Sequence, residues 1–399
     1  MNPSKVFTSH TDLTVYPGKL HGTVIPPASK SMAHRCLIAA FLAGGENQIH
    51  NLGTSQDVLV TLQCLDALKK RDDTLPLLDC GESGSTLRFF IPIALVLRGG
   101  ARFTGRGRLM ERPQDPYFAS FQEKGIHYEL LDNVLTVQGS LTPGEYTLPG
   151  NVSSQFVTGL LYALSLLQGD SFLQLTTPLE SRAYVDMTID VLARFGVQIK
   201  EDPRGFSIPG SQRYQTQDLV VEADWSHAGF WYAAKALGSE ISVEGLNFHS
   251  FQGDKMILQA FQQLTQPGDV ILDVSQCPDL VPPLAAMAAV RQGTTSLVNA
   301  ARLRIKESDR LNSVATVLNA MGAQVEEYPD SLRITGKEAL SGGVTADCFN
   351  DHRIAMMAGI AATCCNAPVI LRGADCVNKS YPEFWEHYCS LGGKIEMIA

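Results

Sequence analysis

The chain has 399 residues, of which 45% are hydrophobic and 18% charged, and it carries a net charge of −9. That length exceeds what one hydrophobic core usually organises, so two domains of about 200 residues are expected. The acidic balance excludes nucleic-acid binding by bulk charge, and apolar runs such as Phe89 to Leu97 are far short of the ~20 residues that a bilayer requires.

In chain order, the polar start from Met1 to Thr14 has no apolar signal core. A first strand follows at Thr14-Val15-Tyr16 and is free to pair with either half. From there a pattern is written six times. A small-residue apolar helix opens on a polar cluster: Ser29-Lys30-Ser31 with Arg35, Glu82-Ser83-Gly84-Ser85 with Arg88, Ser153-Ser154-Gln155, Asp224-Trp225-Ser226-His227, Pro278-Asp279, and Asn350-Asp351-His352-Arg353. Between these lie six helices of a second kind. Each follows a strand and carries an acid in its first turn: Asp57, Asp115, Asp186, Asp254, Asp309 and Glu383. The strands before them end near Asn51, Thr104, Thr177, Glu244, Asn299 and Arg372.

Each unit therefore reads as strand, apolar helix, strand, acidic-start helix and two further strands. A supersecondary repeat of this kind predicts mixed α/β layers with helices covering sheets. Six units divide into three and three, with the join just before Val220-Val221-Glu222-Ala223-Asp224. Runs such as Ser226 to Leu237 and Leu280 to Val290 are apolar nearly all round, as buried helices are. Buried helices with polar residues only at their N-termini describe a core that feeds a site. Helix starts also attract anions, through free N–H groups and the macrodipole.

Three basic clusters supply the chemistry. Lys30 and Ser31 open a helix, with Arg35 one turn on along the same face; backbone N–H groups, hydroxyls and fixed charge are what a phosphate needs. The others are Arg108 to Pro113 and Arg302 to Arg310. Taken singly each also reads as a cap or a solvated charge run; recurrence at equivalent places of a repeat favours a site. Asp279 opens a buried helix and is either a cap or a base with a tuned pKa. Lys379 is the corresponding cation of the last unit.

Several classes lack their signatures. There is no phosphate-binding G-x-x-x-x-G-K-[ST] loop, no G-x-G-x-x-G after a strand and no metal-ligand spacing, so neither a nucleotide cofactor nor a metal is expected. Nine cysteines, an odd number without C-x-x-C, fit free thiols in a reducing cytoplasm.

The segments Ser29 to Arg35, Gly81 to Arg88, Glu111-Arg112-Pro113, Ser153-Ser154-Gln155, Tyr184 to Gly196, Pro278-Asp279, Lys306 to Arg310, Asn350 to Arg353 and Lys379 resemble, in order along the whole chain, those of the EPSP synthase family of enolpyruvyl transferases. The resemblance implies a two-domain inside-out α/β barrel, each domain built of three βαβαββ repeats around a pseudo-threefold axis. It assigns residues 22–221 to one lobe and 1–21 plus 222–399 to the other, with the active site in the cleft between them. It also implies transfer of the enolpyruvyl group of phosphoenolpyruvate to the 5-hydroxyl of shikimate 3-phosphate. No cofactor, nucleic-acid partner or membrane is implied, and a cytoplasmic monomer is expected.

Position by position, the resemblance gives Lys30, Ser31, Arg35, Ser153, Ser154, Gln155, Ser181, Asp279 and Lys306 to shikimate 3-phosphate. It gives Lys30, Gly84, Arg112, Gln155, Arg310, Arg353 and Lys379 to phosphoenolpyruvate. Asp279 is the expected base for the 5-hydroxyl, and Glu307 with Lys30 the expected carriers of the proton at the enol carbon. The chain departs from the family pattern at Glu82, Arg302, Trp225, His227 and Arg182-Ala183. Rival readings are a UDP-N-acetylglucosamine enolpyruvyl transferase, which would be expected to carry Lys-Asn at Lys30-Ser31, an RNA 3′-phosphate cyclase relative, and a non-catalytic binding relic.

Overall fold

The computed structural model describes residues 11–70 and 74–398; the first ten residues of the polar start lie outside them. Two strands come first, β1 (Asp12–Val15) and β2 (His21–Val24). The first repeat then holds α1 (Lys30–Ala43), β3 (Gln48–His50) and α2 (Gln56–Lys69). The second runs β4 (Leu77–Asp79), α3 (Gly84–Arg98), β5 (Gly100–Thr104), α4 (Asp115–Glu123), β6 (His127–Leu131) and β7 (Val134–Gln138). The third runs β8 (Gly144–Leu148), α5 (Ser154–Leu164), β9 (Ser171–Leu175), α6 (Arg182–Arg194), β10 (Lys200–Asp202) and β11 (Gly205–Ile208).

The fourth repeat has β12 (Asp218–Val220), α7 (Trp225–Ala236), β13 (Glu240–Val243) and α8 (Ile257–Leu264). The fifth has β14 (Val270–Asp273), α9 (Val281–Ala289), β15 (Thr294–Val298), α10 (Arg310–Ala320), β16 (Gln324–Tyr328) and β17 (Ser331–Thr335). The sixth has β18 (Thr345–Asp347), α11 (His352–Ala362), β19 (Val369–Arg372), α12 (Phe384–Ser390) and β20 (Ile395–Ile398).

The sheets show how one sequence pattern becomes a repeated fold. In the second, third and fifth repeats a parallel βαβ pair is extended by an antiparallel hairpin, in the orders β4-β5-β7-β6, β8-β9-β11-β10 and β14-β15-β17-β16. The sixth follows the same plan with one substitution. Its order is β18-β19-β1-β20, and β1 lies antiparallel to both β19 and β20, so the first strand of the chain fills the place a hairpin strand holds elsewhere.

The first and fourth repeats depart from the expected two closing strands. No strand lies between α2 and β4 among the described residues, nor between α8 and β14. Their sheets are two-stranded and exchanged: β2, which precedes α1, pairs in parallel with β13, and β12, which precedes α7, pairs in parallel with β3. This exchange sets the domain limits. Ala28–Glu222 forms one compact unit, and the chain through Pro27 and from Ala223 forms the other. The join expected after residue 21 falls instead after β2, because the pairing of β2 with β13 draws residues 22–27 into the C-terminal unit.

Each unit has its own hydrophobic core. Every residue of α9 and of α11 is buried, as the uniformly apolar runs require. In the N-terminal unit α3 packs closely on α5. Gly159 makes that approach possible: a Cβ there would lie 2.2 Å from the Tyr117 hydroxyl and 2.7 Å from the Arg88 carbonyl oxygen. Of the six acids expected in first turns, Asp57 and Asp115 lie there, while Asp309 and Glu383 take the N-cap position. Asp186 sits more than a turn into α6, and Asp254 lies in a 3₁₀ turn before α8. In both places the helix start is displaced from where the strand signal put it.

Candidate active-site clusters

In the N-terminal unit, Ser29 caps α1, its hydroxyl accepting from the Met32 amide. That cap places Lys30 as the first helical residue, where its ammonium donates to the Asp57 carboxylate at 2.8 Å. Arg35 is 2% exposed and bound by neutral oxygens alone. Its Nε donates to Thr188 Oγ1 at 2.9 Å, Nη1 to the Ser31 carbonyl at 2.7 Å, and Nη2 to the Tyr184 carbonyl at 2.8 Å and Thr158 Oγ1 at 3.5 Å. Phe89 and Tyr184 present ring faces to the guanidinium at 5.3 and 5.9 Å. Burial lowers its pKa from the ordinary value, and no carboxylate stands at ion-pair distance from it among the described residues.

Gly84 opens α3 after the cap Ser83. A Cβ at Gly84 would come within 2.6 Å of Arg112 Nη1, so the absent side chain is the seat of that guanidinium. Arg112 is buried, its Nε has no hydrogen-bond partner, and it too meets no carboxylate among the described residues. The next helix start, capped by Ser153, aligns Ser154 and Gln155. Gln155 accepts from Arg88 Nη1 at 2.8 Å and donates to Ser85 Oγ at 2.9 Å. Ser181 precedes α6 in a left-handed conformation, φ 53° and ψ 43°, uncommon for a residue with a Cβ and often met at functional sites. Lys30, Ser31, Gly84, Ser154 and Gln155 thus lie in the first turns of their helices.

The C-terminal unit gathers Asp279, Lys306, Glu307, Arg310 and Arg353 into an ion-pair network. Asp279 stands in a 3₁₀ turn before α9. Its carboxylate accepts from Arg310 Nη1 at 2.9 Å and Arg353 Nη2 at 3.0 Å, with Lys306 Nζ 3.7 Å away. Burial pushes the Asp279 pKa up, but Arg353, Lys306 and Arg310 together outweigh it and hold the group well below the usual carboxylate range. Burial is also the main force on Lys306, which falls to about 8 although Asp279 pulls it back up. Arg310 is 1% exposed and reaches three acids: Asp279, Glu307 at 2.6 Å and Asp351 at 2.8 Å. These raise its pKa against the opposing effect of burial. Asp351 caps α11 and accepts from Ser308 as well. Lys379 reaches over to the Asn350 carbonyl.

Several neighbours of these candidates stand out in the sequence only as members of polar clusters or as departures from the family pattern. Arg88 was named only as part of a cluster, yet it stands four residues after Gly84 as Arg35 stands four after Ser31, and that matching register was the available signal. Ser226 donates to Asp224 and accepts from Arg353 Nη2 at 3.1 Å, so the Asp224 cluster both caps α7 and steadies an arginine of the network. His227 is buried near Ser380 and Tyr381. Arg302 donates to the Ser275 carbonyl, and Glu82 lies over Gly107. All nine cysteines are free thiols and only Cys389 is exposed. Among the described residues no group of His, Cys, Asp and Glu could hold a metal ion, and no helix is long and apolar enough to cross a membrane.

The chain superposes on an EPSP synthase structure from Acinetobacter baumannii with a TM-score of 0.79 at 22% identity, covering 98% of this chain and 100% of that one. It superposes on the enolpyruvyl transferase NikO from Streptomyces tendae at 0.78 and 18% identity, covering 98% and 99%. At these identities the likeness shows a fold, the two-domain α/β architecture of enolpyruvyl transferases with its repeated βαβ units. Sequence carries the rest. The family model for EPSP synthase (3-phosphoshikimate 1-carboxyvinyltransferase) matches residues 15–388. Proteins named 3-phosphoshikimate 1-carboxyvinyltransferase from Clostridium kluyveri and Clostridium perfringens strain SM101 are 44% and 43% identical, covering 96% and 95% of this chain and 98% of each relative. The chain belongs to the EPSP synthase family.

Proposed function

We propose that this chain transfers the enolpyruvyl group of phosphoenolpyruvate to the 5-hydroxyl of shikimate 3-phosphate and releases phosphate. The observation that carries the proposal is the Asp279 carboxylate held between Arg310 and Arg353, with Lys306 and Glu307 beside it. The two substrates together bring about −5 to −6 of charge if each phosphate carries −1.5 to −2. Only clustered cations tolerate that, and planar arginines suit both carboxylate and phosphate.

In this reading Ser31, Arg35, Ser153, Ser154, Ser181 and Lys306 bind shikimate 3-phosphate. Gly84, Arg112, Arg310, Arg353 and Lys379 bind phosphoenolpyruvate, and Lys30 and Gln155 serve both. Asp279 takes the proton of the 5-hydroxyl as its oxygen bonds to the second carbon of phosphoenolpyruvate. Glu307, helped by Lys30, gives a proton to the methylene carbon, which becomes a methyl group in a tetrahedral intermediate. Elimination returns that proton to the protein and breaks the carbon–oxygen bond to phosphate, whose departing oxygen takes the proton held by Asp279, and the enol ether is left. At rest Asp279 is a weak base, because three cations stabilise its charge. Substrate anions compete for those same cations, so occupancy raises its proton affinity at the moment a base is needed. A cytoplasmic monomer completes the proposal.

The test is phosphate release from phosphoenolpyruvate with shikimate 3-phosphate or UDP-N-acetylglucosamine as acceptor. The proposal expects release with the former alone. Release with the UDP-sugar alone would overturn the acceptor, and silence with both in folded protein would overturn the activity.

A further inference from the structure

His34, on α1, takes no part in the proposed chemistry, yet it lies at the centre of the N-terminal cluster. The imidazole is completely buried. Nδ1 lies 2.7 Å from Thr61 Oγ1 on α2. Thr61 Oγ1 is 2.7 Å from Thr86 Oγ1 on α3, and Thr86 Oγ1 is 2.7 Å from Ser83 Oγ, the cap of that helix. Thr61 also reaches the Asp57 carbonyl at 3.2 Å. This line joins two seats. Asp57 holds the Lys30 ammonium, and the α3 start carries Gly84, against which Arg112 rests.

We infer that His34 is a positioning residue: through Thr61, Thr86 and Ser83 it fixes the starts of α2 and α3, and so the places of Lys30 and Arg112. The inference rests on the reaction proposed above for its kinetic readout. Thr61 has one proton, and both Asp57 O and Thr86 Oγ1 are in place to receive it. The ring is therefore assigned as donor from Nδ1–H, with Nε2 bare and unpartnered. A charged ring would place a third cation beside Lys30 and Arg35. Burial chiefly, with those two cations, holds the His34 pKa well below its ordinary value, so the hub stays neutral. Phe89 closes the pocket edge-on, with ring centroids 6.5 Å apart.

Two substitutions separate positioning from packing. His34→Leu fills space without a donor, whereas His34→Asn offers an amide N–H close to the place of Nδ1. The inference expects H34L to raise the KM for phosphoenolpyruvate about tenfold with a much smaller change in kcat, since small misplacements of binding groups are costly. It expects H34N to restore KM to within about threefold. Thr61→Val, which cuts the line beyond the ring, should reproduce H34L and replaces it if H34L does not fold. Amide hydrogen exchange of the unliganded chain gives a readout independent of turnover. In H34L, and in Thr61→Val, residues 56–58 and 84–87 should exchange faster while α1 does not. Wild-type KM with unchanged exchange at both helix starts would overturn the inference, as would an H34N as impaired as H34L. If the wild type turns over no phosphoenolpyruvate, the proposed function fails and the exchange result alone decides for His34.

Discussion

The two units hold their candidate arginines in opposite ways. In the C-terminal unit Lys306, Arg310 and Arg353 face Asp279, Glu307 and Asp351, so charge is balanced before any substrate arrives. In the N-terminal unit Arg35 is held by two hydroxyls and two carbonyls, and Arg112 leans on the bare face of Gly84; neither has a carboxylate partner among the described residues. The contrast teaches that a cation can be pre-positioned by dipoles or by countercharge, with different consequences. Dipoles leave positive charge unspent for an incoming anion. A countercharge network resists collapse when empty, and it lets a carboxylate change basicity when anions displace it.

The largest expected effect breaks the C-terminal side. Asp279→Ala should lower turnover ~10²–10⁴-fold while shikimate 3-phosphate still binds, as phosphate release and calorimetry would record. A turnover loss under about tenfold would remove the base from this account. The contrast itself is sharpened by comparing two arginines in the unliganded chain. Arg310→Met leaves Asp279, Glu307 and Asp351 facing one another and should cost about 3–5 kcal/mol in denaturant unfolding. Arg35→Met strands only neutral oxygens and should cost about 1–3 kcal/mol; equal losses would erase the distinction.

Smaller effects follow. Gly84→Ala drives a methyl into the Arg112 seat and should raise the KM for phosphoenolpyruvate about tenfold, while that for shikimate 3-phosphate moves much less. The pH dependence has a definite sign. Lys306, lowered to about 8, is charged below that pH and neutral above it, so affinity for shikimate 3-phosphate should fall as pH rises through 8. Lys306→Arg should move that limb upward, and an unchanged profile would deny Lys306 a charge role. Least of all, Asp309→Asn at the partly exposed Arg304 pair should change stability by about 0–1 kcal/mol.

The repeats and the candidate residues are legible in the sequence because the candidates sit where the hydrophobic pattern is interrupted. Polar clusters at the starts of otherwise apolar helices marked Lys30, Gly84, Ser153, Asp279 and Arg353, and the alternation of two helix kinds gave six repeats. The strand exchange was not legible. β2 and β12 are short and weakly patterned, and their partners are chosen by topology rather than by local propensity. The partners of the buried cations were hidden for a similar reason. Thr188 lies 153 positions from Arg35, on a helix where a hydroxyl reads as unremarkable until packing brings it close, and Ser226, in the polar start of α7, lies 127 positions from the Arg353 it serves. Asp279 stayed ambiguous because a cap and a base differ only in what surrounds the carboxylate.

The most direct test of the account uses phosphoenolpyruvate carrying heavy oxygen in the bridge between carbon and phosphorus, incubated with shikimate 3-phosphate and the protein. Addition and elimination at carbon predict that the heavy oxygen leaves entirely in phosphate, while the enol ether carries the acceptor's own oxygen. Heavy oxygen retained in pyruvate, with unlabelled phosphate and unmodified acceptor, would mean cleavage at phosphorus and would contradict enolpyruvyl transfer by these residues.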